Sequence, residues 1–145
     1  MPGLVLFGGS FNPVHNGHLL AARTALQATG ADTLLFVPTG TPPLRTRTDM
    51  APGAHRLAML RCAIADEPMM AVSDAEISRD GPSYTVDTVE ELTADMRVTR
   101  PLYFLLGADC LGFLPGWKGI DRLHALLSFA ILPRDGVDLT ELDPR

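Results

Sequence analysis

His15 and His18 stand three residues apart, just after a glycine pair, in the run Phe7-Gly8-Gly9-Ser10-Phe11-Asn12-Pro13-Val14-His15-Asn16-Gly17-His18. Side chains at this spacing project toward the same side of a helical turn. Glycines ahead of a helix let a ligand approach the backbone closely. The first turn of the helix then offers unpaired N–H groups and a partial positive charge. Together these features describe an anion site, most often one for phosphate. An imidazole can donate to a phosphate oxygen, and a neighbouring anion raises its pKa. The chemistry implied is the holding of a polyphosphate and the stabilisation of charge that builds on it. Zinc is the weaker reading of the same pair, because a closed site needs four ligands and no Cys pair or His-Glu-x-x-His lies nearby. The glycine spacing also differs from the Gly-x-Gly-x-x-Gly dinucleotide fingerprint.

The elements that must position these residues are legible on both sides. Leu4 to Phe7 is a short apolar run that suits a buried strand, and from Gly17 onward Leu19, Ala22 and Leu26 share one helical face. Thr29-Gly30 predicts the helix stop, and Thr33 to Pro38 predicts a second buried strand. Strand, helix and strand in this length form a βαβ unit with a parallel crossover. Such a sheet carries its site at the carboxyl ends of its strands. The first strand brings its glycines to that edge, and the second brings Pro38-Thr39-Gly40-Thr41-Pro42-Pro43.

The run Gly8 to His18 resembles the signature of the nucleotidyltransferases with a His-x-Gly-His motif. The resemblance covers residues 3 to about 136 and implies an α/β, Rossmann-like open parallel sheet with helices on both faces. It also implies roles. His15 and His18 would be catalytic, and Gly8, Gly9, Ser10 and Phe11 would line the ATP phosphates, partly through backbone N–H groups. Further along, Ser83-Tyr84-Thr85-Val86-Asp87-Thr88 is similar to the Ser-Tyr-Thr-x-Asp-Thr of the nicotinate mononucleotide adenylyltransferases. There Tyr84 and Thr85 would hold the nicotinate carboxylate. Gly107-Ala108-Asp109 follows the strand Leu102 to Leu106, and Trp117 comes eight residues after Asp109. Carried over, Gly107 and Asp109 would contact ATP, and Trp117 would stack on the pyridine ring. Stacking on a flat, electron-poor ring is physically sensible; core packing is the other reading of this lone tryptophan. Mg²⁺ would arrive on the ATP phosphates, with no metal held by the protein itself.

Several stretches are less specific. Residues 39–53 read as a loop with Arg45 and Arg47, either a flap whose cation reaches a phosphate or a solvated connection. The resembling family has Pro-Pro-His-Lys here, whereas this chain has Pro42-Pro43-Leu44-Arg45, which keeps a cation in Arg45 and loses the histidine. His55 and Arg56 open an apolar-faced helix bearing Leu57, Leu60 and Ile64, and read as surface residues at its start. A strand is expected within 69–77, a turn at 79–82, and a helix after it with Val86, Val89 and Leu92 facing inward. Ile120, Leu123, Leu126 and Leu127 mark a short helix, and Ser128 to Leu132 a last strand. Arg134, just beyond that strand's carboxyl end, is a further phosphate candidate.

Length and charge bound the rest. With 145 residues, 46% of them hydrophobic and 20% charged, the chain suits one globular domain over 1–136, followed by an irregular tail over 137–145. A net charge of −5 argues against a broad nucleic-acid surface. No apolar run is long enough to span a bilayer, and no export signal precedes the first strand. Cys62 and Cys110 suit reduced thiols, hence a cytoplasmic location. The resembling family continues into Ile-Ser-x-Ser-x-x-Arg, which contributes a second phosphate-binding helix start. No such motif stands in this sequence, so the domain is expected to be C-terminally incomplete, with an open sheet edge that invites pairing with another copy. The expected reaction is adenylyl transfer from ATP to nicotinate mononucleotide in NAD biosynthesis. The alternatives are a related enzyme using nicotinamide mononucleotide, phosphopantetheine or a polyol phosphate, and a non-catalytic nucleotide-binding module.

Overall fold

The computed structural model describes residues 3–40, 51–79, 84–96, 101–107, 115–132 and 140–142. In chain order the elements are β1 (Leu4–Gly9), α1 (Asn16–Thr29), β2 (Thr33–Pro38), α2 (Gly53–Ala63), β3 (Met70–Val72), α3 (Thr85–Met96), β4 (Leu102–Gly107), α4 (Ile120–Leu126), β5 (Ser128–Leu132) and β6 (Thr140–Leu142). The sheet order is β3-β2-β1-β4-β5-β6. The first five strands pair in parallel, with Leu6 opposite both Leu35 and Phe104. Only β6 runs antiparallel, pairing with β5.

The strands alternate their side chains between two cores, as a sheet covered on both faces must. Leu4 and Leu6 join Leu35, Val86, Val89, Leu92, Leu123 and Phe129 on the face that carries α3 and α4. Val5 and Phe7 join Ala22, Ala25, Leu34, Phe36 and Leu60 on the face that carries α1 and α2. Each such aliphatic or aromatic side chain removed from water is worth roughly 1.5–3 kcal/mol. The inward positions expected of α3 are all buried, and Gly30 ends α1 in the left-handed conformation, its N–H donating to the Leu26 carbonyl.

The strand order reverses between β1 and β4: β2 lies on one side of β1, and β4, on the other, leads to β5. In doubly wound sheets this reversal opens the crevice in which ligands sit. The glycines of β1 and Gly107 of β4 both end at its carboxyl edge.

Two expectations need correction. Residues 140–142 of the expected irregular tail form a strand, with Ala130 opposite Glu141. The edge of β5 is therefore paired by β6 and not left open to a second copy; the short strand forms because β5 supplies the partner. A cavity of about 370 Å³ between α1 and the entry to β3, lined by Leu26, Met69 and Met70, lies by the amino ends of the strands, away from that crevice.

Candidate active site

His15 is the N-cap of α1, with extended backbone. Its Nδ1 accepts the Gly17 N–H at 3.1 Å, while its own backbone N–H donates to Nδ1 of His18 at 3.1 Å. Each imidazole thus takes the part that a Ser or Glu plays in a capping box. The two rings stack with centroids 3.8 Å apart and planes inclined by 27°. His15 is exposed, and His18 is half-buried against the edges of Phe7 and Phe11. Because both Nδ1 atoms accept, the ring proton of each neutral imidazole sits on Nε2. The pair therefore has two Nε2–H donors to offer.

Burial, and secondarily the neighbouring His15, lower the pKa of His18 from 6.5 to about 4. The resting pair is neutral at His18, and an incoming phosphate would offset both causes. Between pH 6.5 and about 4 the unfolded chain takes up a proton at His18 that the folded chain refuses, so stability falls as the pH drops through that window and is full above it. The loss should be roughly 1–2 kcal/mol once the solvent on the open side of the ring is allowed for. Urea midpoints measured from pH 7.5 to 4 should show this slope, and His18→Ala should remove it.

The turn between β1 and α1 is held from below. Phe11 lies in the left-handed region at φ 46°, and the following Asn12–Pro13 peptide is cis. The Phe11 ring is buried between Phe7 and Phe36, at centroid distances of 5.2 and 5.3 Å. A side chain at Gly8 would come within 2.8 Å of the Phe104 ring, so this position accepts only glycine while that ring stays in place. Asn12 Oδ1 accepts the Ala51 N–H at 2.9 Å.

Arg56 is where the reading from sequence fails. It is 3% exposed and no surface residue. Its Nε donates to the Ala51 carbonyl at 2.8 Å, and its Nη1 to the carbonyls of Ser10 and Thr39 at 2.9 and 2.7 Å. A signal was available: 56, 60 and 64 fall at four-residue intervals, which places Arg56 on the same stripe as Leu60 and Ile64. Burial pushes its pKa down from the ordinary arginine value, yet a guanidinium stays charged at neutral pH.

A second cluster lies at the start of α3. Tyr84 and Trp117 are both half-buried against the core face shared by α3 and α4. The edge of Trp117 meets Phe104 and Phe129 at 6.3 and 6.4 Å, so the core-packing reading of this residue holds for part of its ring. Lys118 places its Nζ 4.6 Å from the centre of the Tyr84 ring and 3.5 Å from Asp87. Gly119, left-handed at φ 67°, packs against Val86 so closely that an added side chain would meet it at 3.0 Å. The start of α3 thus lies beside the segment after Trp117 through the Lys118–Tyr84 and Gly119–Val86 contacts, and Phe104 reaches from Trp117 to Gly8.

A network missed in the sequence anchors α3. The Thr88 hydroxyl donates to Glu76 at 2.8 Å and accepts from Arg79 at 3.0 Å, and Arg79 also reaches Glu91. Burial raises the pKa of Glu76, while Thr88 and Arg79 oppose the rise. Gly40 passes so near Glu76 that a side chain there would meet its carbonyl at 2.3 Å. At the end of β4, by contrast, a side chain at Gly107 would meet no atom of the described residues within 4 Å. Arg45, Asp109 and Arg134 lie outside the described residues. Among the described residues no three His, Cys, Asp or Glu side chains gather as a metal would require.

A family model described as cytidylyltransferase-like matches residues 6–145. A relative from Shouchella clausii, named "Probable nicotinate-nucleotide adenylyltransferase", is 42% identical over 94% of this chain and 70% of its own length. The chain belongs to the nicotinate-nucleotide adenylyltransferase family. Another relative of that name, from Dehalococcoides mccartyi, is 38% identical over 97% of this chain, again across 70% of its own length. The chain therefore spans about seven-tenths of these members of the family. The fold agrees. The solved Plasmodium falciparum nicotinic acid mononucleotide adenylyltransferase complexed with NaAD superposes with a TM-score of 0.76 at 19% identity, covering 97% of this chain and 68% of that one. The Rossmann-like nucleotidyltransferase architecture expected of the His-x-Gly-His run is the one observed.

Proposed function

We propose that this chain transfers the adenylyl group of ATP to nicotinate mononucleotide, giving nicotinate adenine dinucleotide and pyrophosphate. The observation that carries the reading is the stacked His15–His18 pair at the head of α1, beside the glycine turn at the reversal of strand order, in a chain of this family.

In this reaction an oxygen of the mononucleotide phosphate attacks the α-phosphorus of ATP. The bond from that phosphorus to the bridging oxygen breaks, and its electron pair leaves with pyrophosphate. The nucleophile is already anionic, so no general base is needed, and catalysis is positioning and charge stabilisation. The Nε2–H groups of His15 and His18 would donate to phosphate oxygens, His18 to the charge that grows in the transition state. Gly8, Gly9, Ser10 and Phe11 would cradle the phosphates from the turn. Mg²⁺ would be held by the ATP phosphates, not by a protein cage, and would supply charge neutralisation there. Roles for Arg45, Gly107, Asp109 and Arg134 on the ATP side follow from the resemblance. The same source puts Tyr84 and Thr85 at the nicotinate carboxylate and the exposed part of Trp117 against the pyridine ring. The compartment we propose is the cytoplasm; among the described residues no helix is long and apolar enough to cross a membrane.

Pyrophosphate release with ATP and nicotinate mononucleotide tests the reaction, with nicotinamide mononucleotide as the comparator. Faster turnover of the nicotinamide form, or none of either, would defeat it. Trp117→Ala should raise KM for the mononucleotide by ~10-fold or more and leave KM for ATP within about threefold, because a stacked ring is worth roughly 1–3 kcal/mol.

A further inference from the structure

Arg56 lies under the phosphate turn and carries a buried charge with no carboxylate partner among the described residues. We propose that it is a positioning residue for the triphosphate, acting through the peptide groups it holds; this rests on the function proposed above. The three carbonyls it binds belong to three separate segments: the turn after β1, the exit of β2 and the approach to α2. All three come to one planar fork, and the Asn12–Ala51 hydrogen bond ties the first segment to the third independently. A guanidinium can do this because its donors diverge in a fixed plane, whereas an ammonium presents a single point.

The charge has a use that a neutral strut would lack. The Ser10 carbonyl shares its peptide unit with the Phe11 N–H, and the Thr39 carbonyl shares its unit with the Gly40 N–H. A cation on the oxygen end of a peptide polarises the N–H end and strengthens its donation to an anion. Arg56 thus directs positive potential toward the carboxyl edge of β1 and β2 without touching the ligand. It also holds the Ser10 peptide in one orientation, next to a residue already fixed at positive φ. A buried cation satisfied, among the described residues, by carbonyls is costly to desolvate, and an anion on the far side of those peptides lowers that cost. Coupling of this kind favours the triphosphate over a ligand bound elsewhere in the crevice.

The test is calorimetry with ATP, together with steady-state turnover, on the wild-type chain, Arg56→Ala and Arg56→Lys, each first checked for folding by thermal melting. Arg56→Ala should weaken ATP binding by ~10–100-fold while KM for the mononucleotide stays within about threefold. Millimolar guanidinium ion should restore part of the ATP affinity of Arg56→Ala, and methylammonium should restore less. Arg56→Lys, which keeps charge but not the fork, should fall between the other two proteins. Three results would overturn the proposal. One is a folded Arg56→Ala that binds ATP as the wild type does. Another is an equal loss for both substrates with no guanidinium effect, and the third is unfolding of both variants, which would make Arg56 a strut of the fold alone. A wild-type chain that binds no ATP would instead defeat the function proposed above, and this inference with it.

Discussion

Replacing His18 with alanine should lower turnover by ~10²–10³, the effect of removing one well-placed donor to developing charge, about 3–4 kcal/mol. The geometry separates this loss from a structural one. His18 does two things: its Nδ1 accepts the His15 N–H at the helix cap, and its Nε2–H faces away from that bond. Asparagine at this position places an acceptor near Nδ1 and nothing near Nε2; glutamine places a donor near Nε2. His18→Asn should therefore preserve most of the cap and lose the turnover, whereas His18→Gln should recover part of the turnover. The cap itself is worth only about 1 kcal/mol, so melting temperatures of the three variants should differ little by comparison with their rates. Steady-state pyrophosphate release gives the rates. If His18→Ala kept wild-type kcat, His18 would be a helix cap and no more, and the transition-state role would pass to another group. His15, more exposed and stacked on the same ring, would be the first to test.

The parts of the site that were legible in the sequence are those whose geometry is local. Two histidines three apart after a glycine turn have little choice but to share the head of a helix, and they do. The inward faces of α1 and α3 follow from periodicity for the same reason. What was not legible depends on chain segments far apart. Arg56 reaches Thr39, 17 residues away, and Ser10, 46 residues away, and carbonyl acceptors leave no mark in a sequence. The Glu76–Thr88–Arg79 network is hidden likewise, since Thr88 is 2% exposed and its partners come from 12 and 9 residues away. The placement of β4 beside β1 rather than beyond β3 is what creates the crevice, and no local signal encodes it. Strand β6 has acidic neighbours and weak propensity, and exists because β5 offers an edge. Tyr84 and Trp117 were singled out through resemblance; both are half-buried and pack against the core face shared by α3 and α4.

Phe11 carries the other large expected effect, on stability more than on chemistry. The sequence suggested only its backbone N–H as functional, yet its ring is 2% exposed and makes edge contacts with Phe7, Phe36 and His18, the last at a centroid distance of 4.9 Å. Phe11→Ala should lose about 3–4 kcal/mol, read as a lower urea midpoint at unchanged slope, because the ring's burial goes and the surrounding aromatics close in only partly. That is a large share of the stability of a domain of this size. The backbone adds a second, smaller test. At φ 46° any residue with a side chain is strained, and alanine inherits the strain, whereas glycine does not. In most buried positions glycine is less stable than alanine by about 1 kcal/mol; here Phe11→Gly should equal or exceed Phe11→Ala. Because the ring is also the wall behind His18, the folded fraction of Phe11→Ala should turn over roughly 10-fold more slowly, the imidazole having lost the contact that aims its Nε2–H. Phe11→Leu, which refills much of the space, should regain most of the stability and less of the rate. An Phe11→Ala protein with the wild-type midpoint would mean that the aromatic cluster does not hold the turn, and the positive φ would then need another cause.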